Sequence, residues 1–458
     1  MVNGTRENRV WKRASASLAA CALAVVLAAC AATPTAPVPR PAGPPMRTTQ
    51  TLPQSQAGQS ILPRNQQLIP RSAPGAPAPA STGLMRAALL VPLSGQSAAL
   101  GQALVNAAQM ALFDVADERF VLQIYDTQGT PDETARVTAK AIGEGAQIIL
   151  GPVFAADAKT AGATAAASGI NVVTFSTDPT IAGNNVYVMG FTVDEQVRQI
   201  LSYARAQGRE RFAILAPDTA YGTAVVEAFK KHAPGVDFSK IGIYTAQAGN
   251  IDQVIKQIGN FDTRKRALAV EKSKLASKTD DASKAALKSL EKADTFGDVD
   301  FDAILVPEQG ARLTRTAALL PFYDIDPSKV QLLGTLLWNQ PGLGREPALI
   351  GGVFPAPSPD GNRQFFARYR ELYGAAPPTL ASHGYDAVAL AAALAHSGMA
   401  RPFSAETLTA ASGFAGVDGI FRFLPNGLSQ RGFAIMQVTR EGTAIAQPAP
   451  AAFNTATN

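Results

Sequence analysis

The sequence predicts an α/β fold of two lobes, each a mainly parallel sheet flanked by helices. Three observations carry this. Between residues 84 and 446, short apolar runs alternate with amphipathic stretches, the pattern of parallel strands covered by helices on both faces. Several runs stop at a proline, which has no N–H to give to a strand ladder. A break at Gln207-Gly208 divides the alternation into two blocks, and the eightfold repeat of a barrel is missing.

The proline-ended runs are Ala88-Leu89-Leu90-Val91-Pro92, Ile148-Ile149-Leu150-Gly151-Pro152, Phe212-Ala213-Ile214-Leu215-Ala216-Pro217 and Ala303-Ile304-Leu305-Val306-Pro307. In open α/β sheets ligands sit beyond the carboxyl ends of strands, so the loops after these runs are the candidate site. Helices follow the loops. Residues 101–113 place Leu104, Ala107, Ala108, Ala111 and Leu112 on one face, and Thr130-Pro131-Asp132-Glu133 opens a helix over 131–144. Residues 193–206 and 223–232 behave alike. Residues 263–294 are different, being dense in Lys, Ala, Ser and Asp with Leu268, Leu275, Leu287 and Leu290 as sparse anchors. They predict an insertion of two helices joined near Ser277-Lys278-Thr279-Asp280-Asp281, which fits both a solvated decoration and a docking surface.

The ends of the chain read differently. Arg6, Arg9, Lys12 and Arg13 precede an apolar stretch over 14–29, the order of charges and small residues in a secretory signal. The formal charge of the 458 residues is +5, from 41 Lys+Arg against 36 Asp+Glu, and loss of that basic start leaves about +2. A nearly neutral chain lacks the electrostatic footprint of a nucleic-acid binder. Residues 31–83 are rich in Pro, Ala, Ser, Thr and Gln and read as a disordered tether. Such a segment spans about 40 Å as a flexible coil and about 160 Å as an extended polyproline helix. Residues 447–458 read as a short disordered tail.

Little in the sequence argues for catalysis. His232, His383 and His396 are isolated, Cys21 and Cys30 are the only cysteines, and no metal-ligand, nucleophile-elbow, Walker or dinucleotide motif occurs. Asp298, Asp300 and Asp302 alternate, which fits a solvated strand entry better than a cation site. The expectation is a non-enzyme with no metal and no cofactor.

Several stretches resemble known proteins. Leu27-Ala28-Ala29-Cys30 resembles the bacterial lipobox, implying cleavage after residue 29, acylation of Cys30 and, since Ala31 rather than Asp follows, attachment to the periplasmic face of the outer membrane. Residues 87–95, Gln147-Ile148-Ile149-Leu150-Gly151-Pro152, Gly169-Ile170-Asn171-Val172-Val173-Thr174-Phe175-Ser176-Thr177 and Asp218-Thr219-Ala220-Tyr221-Gly222 resemble type 1 periplasmic binding proteins of the branched-chain amino acid receptor kind. The second half is similar to the C-terminal domain of penicillin-binding-protein activator lipoproteins. The stretches that carry this are Val306-Pro307-Glu308-Gln309-Gly310, Leu333-Gly334-Thr335-Leu336-Leu337-Trp338-Asn339, Phe354-Pro355-Ala356-Pro357, His383-Gly384-Tyr385-Asp386-Ala387-Val388 and Gly419-Ile420-Phe421-Arg422-Phe423. The best-known activators place helical repeats ahead of this domain, where this chain has its tether.

The resemblance implies a two-lobed binding-protein domain over 84–446. Lobe one would take about 84–206 and 375–412, and lobe two about 207–374 and 413–446. Cleft candidates are Ser94, Phe154, Ser176, Thr177, Tyr221, Glu308 and Trp338. Amino-acid receptors need hydroxyls and N–H groups for a carboxylate and an acid for an ammonium. Here Gly151-Pro152-Val153-Phe154-Ala155-Ala156 puts apolar groups where receptors carry a serine-containing loop. Each polar candidate also has a local structural role open to it, Ser176 and Thr177 as caps or turn formers and Glu308 at a helix N-terminus. Trp338 serves either as core or as an exposed anchor. Two functions stay open: a regulator that binds and activates an inner-membrane peptidoglycan synthase (a penicillin-binding protein), and a solute-binding protein taking an amino acid or related small-molecule ligand in the cleft. A purely structural envelope protein is a third.

Overall fold

The computed structural model describes residues 83–115, 117–246 and 249–453. The expected signal peptide, Cys30 and nearly all of the tether lie outside the described residues, as do residues 454–458.

From the amino end the elements are β1 (Met85–Val91), α1 (Ala98–Val115), β2 (Phe120–Asp126), α2 (Pro131–Gly143), β3 (Ile148–Leu150), α3 (Ala155–Ala166), β4 (Asn171–Thr174) and β5 (Val186–Val188). Next come α4 (Val193–Ala206), β6 (Phe212–Pro217), α5 (Ala220–His232), β7 (Ile241–Tyr244), α6 (Ile251–Ile258), α7 (Phe261–Ala276), α8 (Asp281–Leu290), β8 (Ala303–Leu305), α9 (Gly310–Phe322), β9 (Gln331–Leu333) and β10 (Val353–Ala356). The chain ends with α10 (Pro359–Tyr373), α11 (Ala381–His396), α12 (Ala405–Leu408), β11 (Phe414–Gly416), β12 (Gly419–Phe423), β13 (Ser429–Arg431), β14 (Ala434–Thr439) and β15 (Gly442–Gln447).

The first sheet is parallel throughout, in the order β2-β1-β3-β4-β5. The second has the order β15-β14-β10-β9-β8-β6-β7, parallel from β7 to β10 and antiparallel at β14 and β15. β11, β12 and β13 form a small antiparallel sheet. Central strands such as β3 and β8 are buried at every residue. That follows from a sheet covered on both faces, and explains why they read as continuous apolar runs rather than as alternation.

Each large sheet separates two cores. In the first lobe, α1, α10, α11 and the small sheet pack on one face of the large sheet, through Leu104, Phe365, Tyr385, Leu390 and Phe421; Val137 of α2 and Ala161 of α3 pack on the other. In the second lobe, Ile255 of α6 and Leu320 of α9 cover one face, while Ile200 of α4 and Phe229 of α5 cover the other. α11 is buried nearly all round, as a helix apolar on every side must be.

This packing moves the lobe boundaries away from those expected. Val197, Ile200, Leu201 and Ala204 of α4 belong to the second lobe with Phe212 and Ile214, because Gln207-Gly208 is only the turn that ends α4 before β6. Phe365 and Tyr369 of α10, and Phe414, Phe421 and Phe423 of the small sheet, belong to the first lobe. Tyr369 and Tyr373 are tied to Asn106 of α1 at 3.1 and 2.9 Å. The crossings between lobes therefore fall near residues 189–193, 356–359 and 431–434. The C-terminal segment is also more ordered than its composition suggests: β15 runs to Gln447, Ala449 packs against the second core, and the guanidinium of Arg422 lies 4.6 Å from the ring of Phe453.

Candidate functional site

Strand order defines where a site can form. In the first sheet the connections change direction between β1 and β3, and in the second between β6 and β8. A crevice opens beyond the carboxyl ends of the strands at such switch points. The loops there hold Ser94, Phe154 and Glu308, and Tyr221 stands in the first turn of α5 just after the loop from β6, so these expected residues do sit at the two switch points.

Their side chains, however, face inward partners. Glu308 is 2% exposed; its carboxylate accepts from the Tyr244 hydroxyl, from Nε of Arg312 at 3.1 Å and from the N–H of Gln309 at 3.3 Å. The Tyr221 hydroxyl donates to Oγ1 of Thr335 at 2.9 Å, and burial pushes its pKa up to about 12, so it stays protonated. Ser176 is buried and its Oγ accepts from the N–H of Asp178 at 3.2 Å, closing its own turn. Thr177 is exposed. Ser94, also exposed, donates to Asp126, which accepts from the N–H groups of Leu93 and Gln128 at 2.7 and 2.8 Å; burial opposes ionisation there, but these bonds together hold the carboxyl below its usual range.

Phe154 precedes α3 and is 36% exposed, its ring lying beside Gly129 and Pro92. The bend before it is tight. Gly151 has φ +83°, and a Cβ there would stand 2.2 Å from the carbonyl oxygen of Leu90. The loop beyond β3 therefore offers an aromatic ring rather than a side-chain donor.

Trp338 is corrected by the structure. It is 0% exposed in the second core, its Nε1 donates to the carbonyl of Val306 at 3.0 Å, and its ring fills the space left by Gly334 and Gly352. A Cβ on either glycine would come within 2.7 Å of the indole or closer. It anchors the sheet and does not line a cleft.

The three alternating aspartates are each bound to a different cation: Asp298 to Lys329 at 2.6 Å, Asp300 to Lys240 at 2.6 Å and Asp302 to Arg211 at 3.3 Å. Among the described residues no group of three or more His, Cys, Asp or Glu side chains is placed to hold a metal ion, and no helix is long and apolar enough to cross a membrane. A groove of about 670 Å³ lies at the amino ends of the second sheet, lined by Arg205, Arg211, Lys231 and Lys240. It is at the opposite end from the switch point, and Lys231, Lys240 and Arg211 are already paired with carboxylates.

Sequence reasoning missed a cluster of buried charges where the lobes join. Arg431, 2% exposed, sits on the third crossing with its guanidinium 4.6 Å from the ring of Phe191 and 5.2 Å from that of Phe421. Its Nη2 donates to the carbonyl of Met189 on the first crossing at 2.6 Å, and its N–H reaches Glu195 at 3.4 Å, which is itself paired with Arg198 at 2.7 Å. Asp386 and Asp418 complete the cluster. Asp386 accepts from the N–H of Val417 at 2.7 Å and Asp418 from Ser382 at 2.5 Å. Burial, and then the neighbouring Asp418, pushes the Asp386 carboxyl up to about 7; burial raises Asp418 too, against Arg431, Ser382 and Asn362. His383 is fully buried, and burial followed by Arg431 holds its pKa well below the usual imidazole value, so it remains neutral. The signal available in the sequence was Asp386 itself, an acid within the apolar run Tyr385-Asp386-Ala387-Val388-Ala389-Leu390.

Comparison with known proteins agrees with this architecture. Residues 85–263 match the family described as periplasmic binding protein. Over 182 residues the chain is 27% identical to the Leu/Ile/Val-binding protein BraC3 of Rhizobium johnstonii, covering 36% of this chain and 45% of that protein. Over 151 residues it is 28% identical to the penicillin-binding protein activator LpoA of Glaesserella parasuis, covering 32% of this chain and 25% of that protein. The matches thus span less than half the length of either relative. A crystal structure from Rhodospirillum rubrum, assigned as a branched-chain amino acid ABC transporter, shares the fold with a TM-score of 0.62 at 18% identity, over 79% of this chain and 99% of that one.

Proposed function

For a chain that has the type 1 periplasmic-binding-protein fold and matches the periplasmic binding protein family over residues 85–263, we propose a non-catalytic regulator: an outer-membrane lipoprotein that binds and activates a peptidoglycan synthase. The observation that carries this reading is the state of the polar groups at the two switch points. An amino-acid receptor keeps an acid and several donors unspent until ligand arrives, since a zwitterion moved out of water needs every charge met. Here Glu308 is spent on Tyr244 and Arg312, Tyr221 on Thr335, Ser176 on its own turn, and Phe154 occupies the loop beyond β3. The fold is that of a receptor, while its buried acid Glu308 and the Tyr221 hydroxyl are tied up within the protein. Partial identity with LpoA, described as a penicillin-binding protein activator, supports the same direction.

Mechanically, the reading needs a soluble domain held on a long leash. Acylation at Cys30 fixes one end in the outer membrane, and the proline-rich segment lets the domain reach a partner up to about 160 Å away. The test is direct. Adding the full protein in detergent to a purified synthase from the same organism raises its polymerisation or cross-linking rate several-fold; an unchanged rate under saturating protein rejects the reading.

The second reading, an amino-acid-binding protein, is favoured by the stretch shared with BraC3. A ligand binding only the folded state at 100 times its Kd stabilises by about 2.7 kcal/mol. No thermal shift is expected with free leucine, isoleucine or valine, and a clear one would move the assignment to a receptor.

A further inference from the structure

We propose that the face built by α6, α7 and α9, centred on Phe322, is the surface on which an acidic protein partner docks. This rests on the regulatory reading and names the part of the second lobe that would carry it.

The centre of the face is aromatic and fixed. Phe322, the last residue of α9, is 70% exposed. Its ring packs edge-on against Tyr323 at 5.0 Å, and Tyr323 packs edge-on against Phe261 of α7 at 5.4 Å. Tyr323 is buried, and its hydroxyl donates to Asp252 of α6 at 2.9 Å. An exposed ring held on a buried, hydrogen-bonded one is presented without much freedom to lose on binding. Cations stand around it: Lys256 lies 5.4 Å from the Tyr323 ring and Lys265 lies 6.0 Å from the Phe261 ring, while Arg315 is paired with Asp252 at 3.8 Å. An aromatic anchor within a polar, charged rim is the anatomy of a protein interface.

The adjoining helix pair extends the same chemistry. α7 buries only Arg264 and Leu268, and α8 only Ser283, so neither exists to fill a core. The pair is nevertheless clamped at its base. Arg264 donates to the carbonyls of Gly259 and Gly297 at 3.2 Å, to Thr295, and to the carbonyl and carboxylate of Asp324, each at 2.9 Å. A solvated decoration needs no such anchor. Residues 261–294 hold nine Lys and Arg against six Asp and Glu, while the whole chain has a formal charge of +5. Even with Arg264 spent on Asp324 the hairpin keeps two surplus cations, and Val270 on it is 68% exposed. α7 is about 24 Å long. A bare polyanion needs cations alone; the pinned ring at the centre fits a pocket on a protein whose rim is acidic.

The test uses the full protein in detergent and a purified synthase immobilised for interferometry. Phe322→Ala and Lys265→Glu, whose melting temperatures should match that of the parent because both residues are exposed, are each expected to weaken binding at least tenfold, with Phe113→Ala as an exposed aromatic control that changes nothing. Parent-like binding by both variants overturns the docking face and leaves the regulatory function standing. Absence of binding by the parent sinks the regulatory reading instead, and the face is then decided by p-benzoylphenylalanine placed at position 322 in cells. A photo-adduct mapped to an acidic protein segment supports it; no adduct, or one only to lipid or glycan, overturns it.

Discussion

Replacing Arg431 by methionine tests the charged junction between the lobes. The side chain keeps its length and apolar stem but loses the charge, so the buried carboxyls Asp386 and Asp418 lose the nearby cation that lowers their pKa values, and the carbonyl of Met189 loses its donor. Arg431 makes no direct ion pair with either carboxyl but lowers both through space, and loss of one member of a buried, fully contacting pair, at about 3–5 kcal/mol, sets the upper bound for the cost. The carboxyls have one escape, which is to take up protons. Their pKa values are already raised by burial and are held down in part by Arg431, so its loss raises them further. The unfolded chain titrates near 3.9. Between pH 4 and 8 the variant's folded state therefore binds more protons than the parent's, and its stability falls more steeply as pH rises. The expected cost is at most about 3–5 kcal/mol at pH 8, shrinking to under about 2 kcal/mol at pH 5. The assay is urea unfolding of parent and variant by circular dichroism at both pH values. His383 is held neutral in the folded state mainly by burial, so the rise in stability it gives as the unfolded imidazole loses its proton is common to parent and variant and largely cancels in the difference, and the Glu195–Arg198 pair is untouched by the substitution. A cost below about 1 kcal/mol at pH 8, or one independent of pH, would refute the reasoning.

Three further perturbations follow from the same geometry. Asp386→Asn keeps the acceptor for the Val417 N–H and removes the charge; because the folded pKa is raised to about 7, stability present below about 4 is lost progressively as pH rises to 7, so the variant should melt a few degrees higher than the parent at pH 8 and gain clearly less at pH 5. A variant less stable at both would show that the carboxylate is satisfied. Gly334→Ala places a Cβ 2.2 Å from the Trp338 ring and should lower stability by about 1–3 kcal/mol, read by thermal melting, while an unchanged melting temperature would mean that the indole is not seated there. Arg264→Met should raise amide exchange across α7 and α8 at least tenfold, about 1.4 kcal/mol of local stability, with β6 and β8 unaffected. Equal exchange in both proteins would show that the clamp does not hold the hairpin.

What the sequence made legible depended on how local the physics was. A strand buried on both faces is a short apolar run, and a proline at its end is a local stop, so β3, β6 and β8 could be read directly. Which sheet a helix covers is not local. The apolar stripe of α4 has the same form whether it meets β4 or β6, and only packing against Phe212 settles it. Trp338 was ambiguous for a related reason: an indole is as common at an interface as in a core, and the deciding fact is the absence of side chains at Gly334 and Gly352, the latter fourteen residues away.

The site was least legible where recognition groups are spent on partners distant in sequence. Glu308 looks available until Tyr244, sixty-four residues earlier, is placed against it, and Tyr221 until Thr335 is. Arg431 meets Met189 across 242 residues. That bond has a mechanical consequence, because it ties the third crossing to the first. Any rotation of the lobes that parts residue 189 from residue 431 must break a charge-assisted bond in a dry site and pull the guanidinium from Phe191. In a ligand-closed receptor such crossings act as hinges and absorb the change in backbone angle. Here a buried cation fixes the first-lobe ends of two crossings to each other, so a change in backbone angle between the lobes is confined to the residues that follow, 190–193 and 432–434.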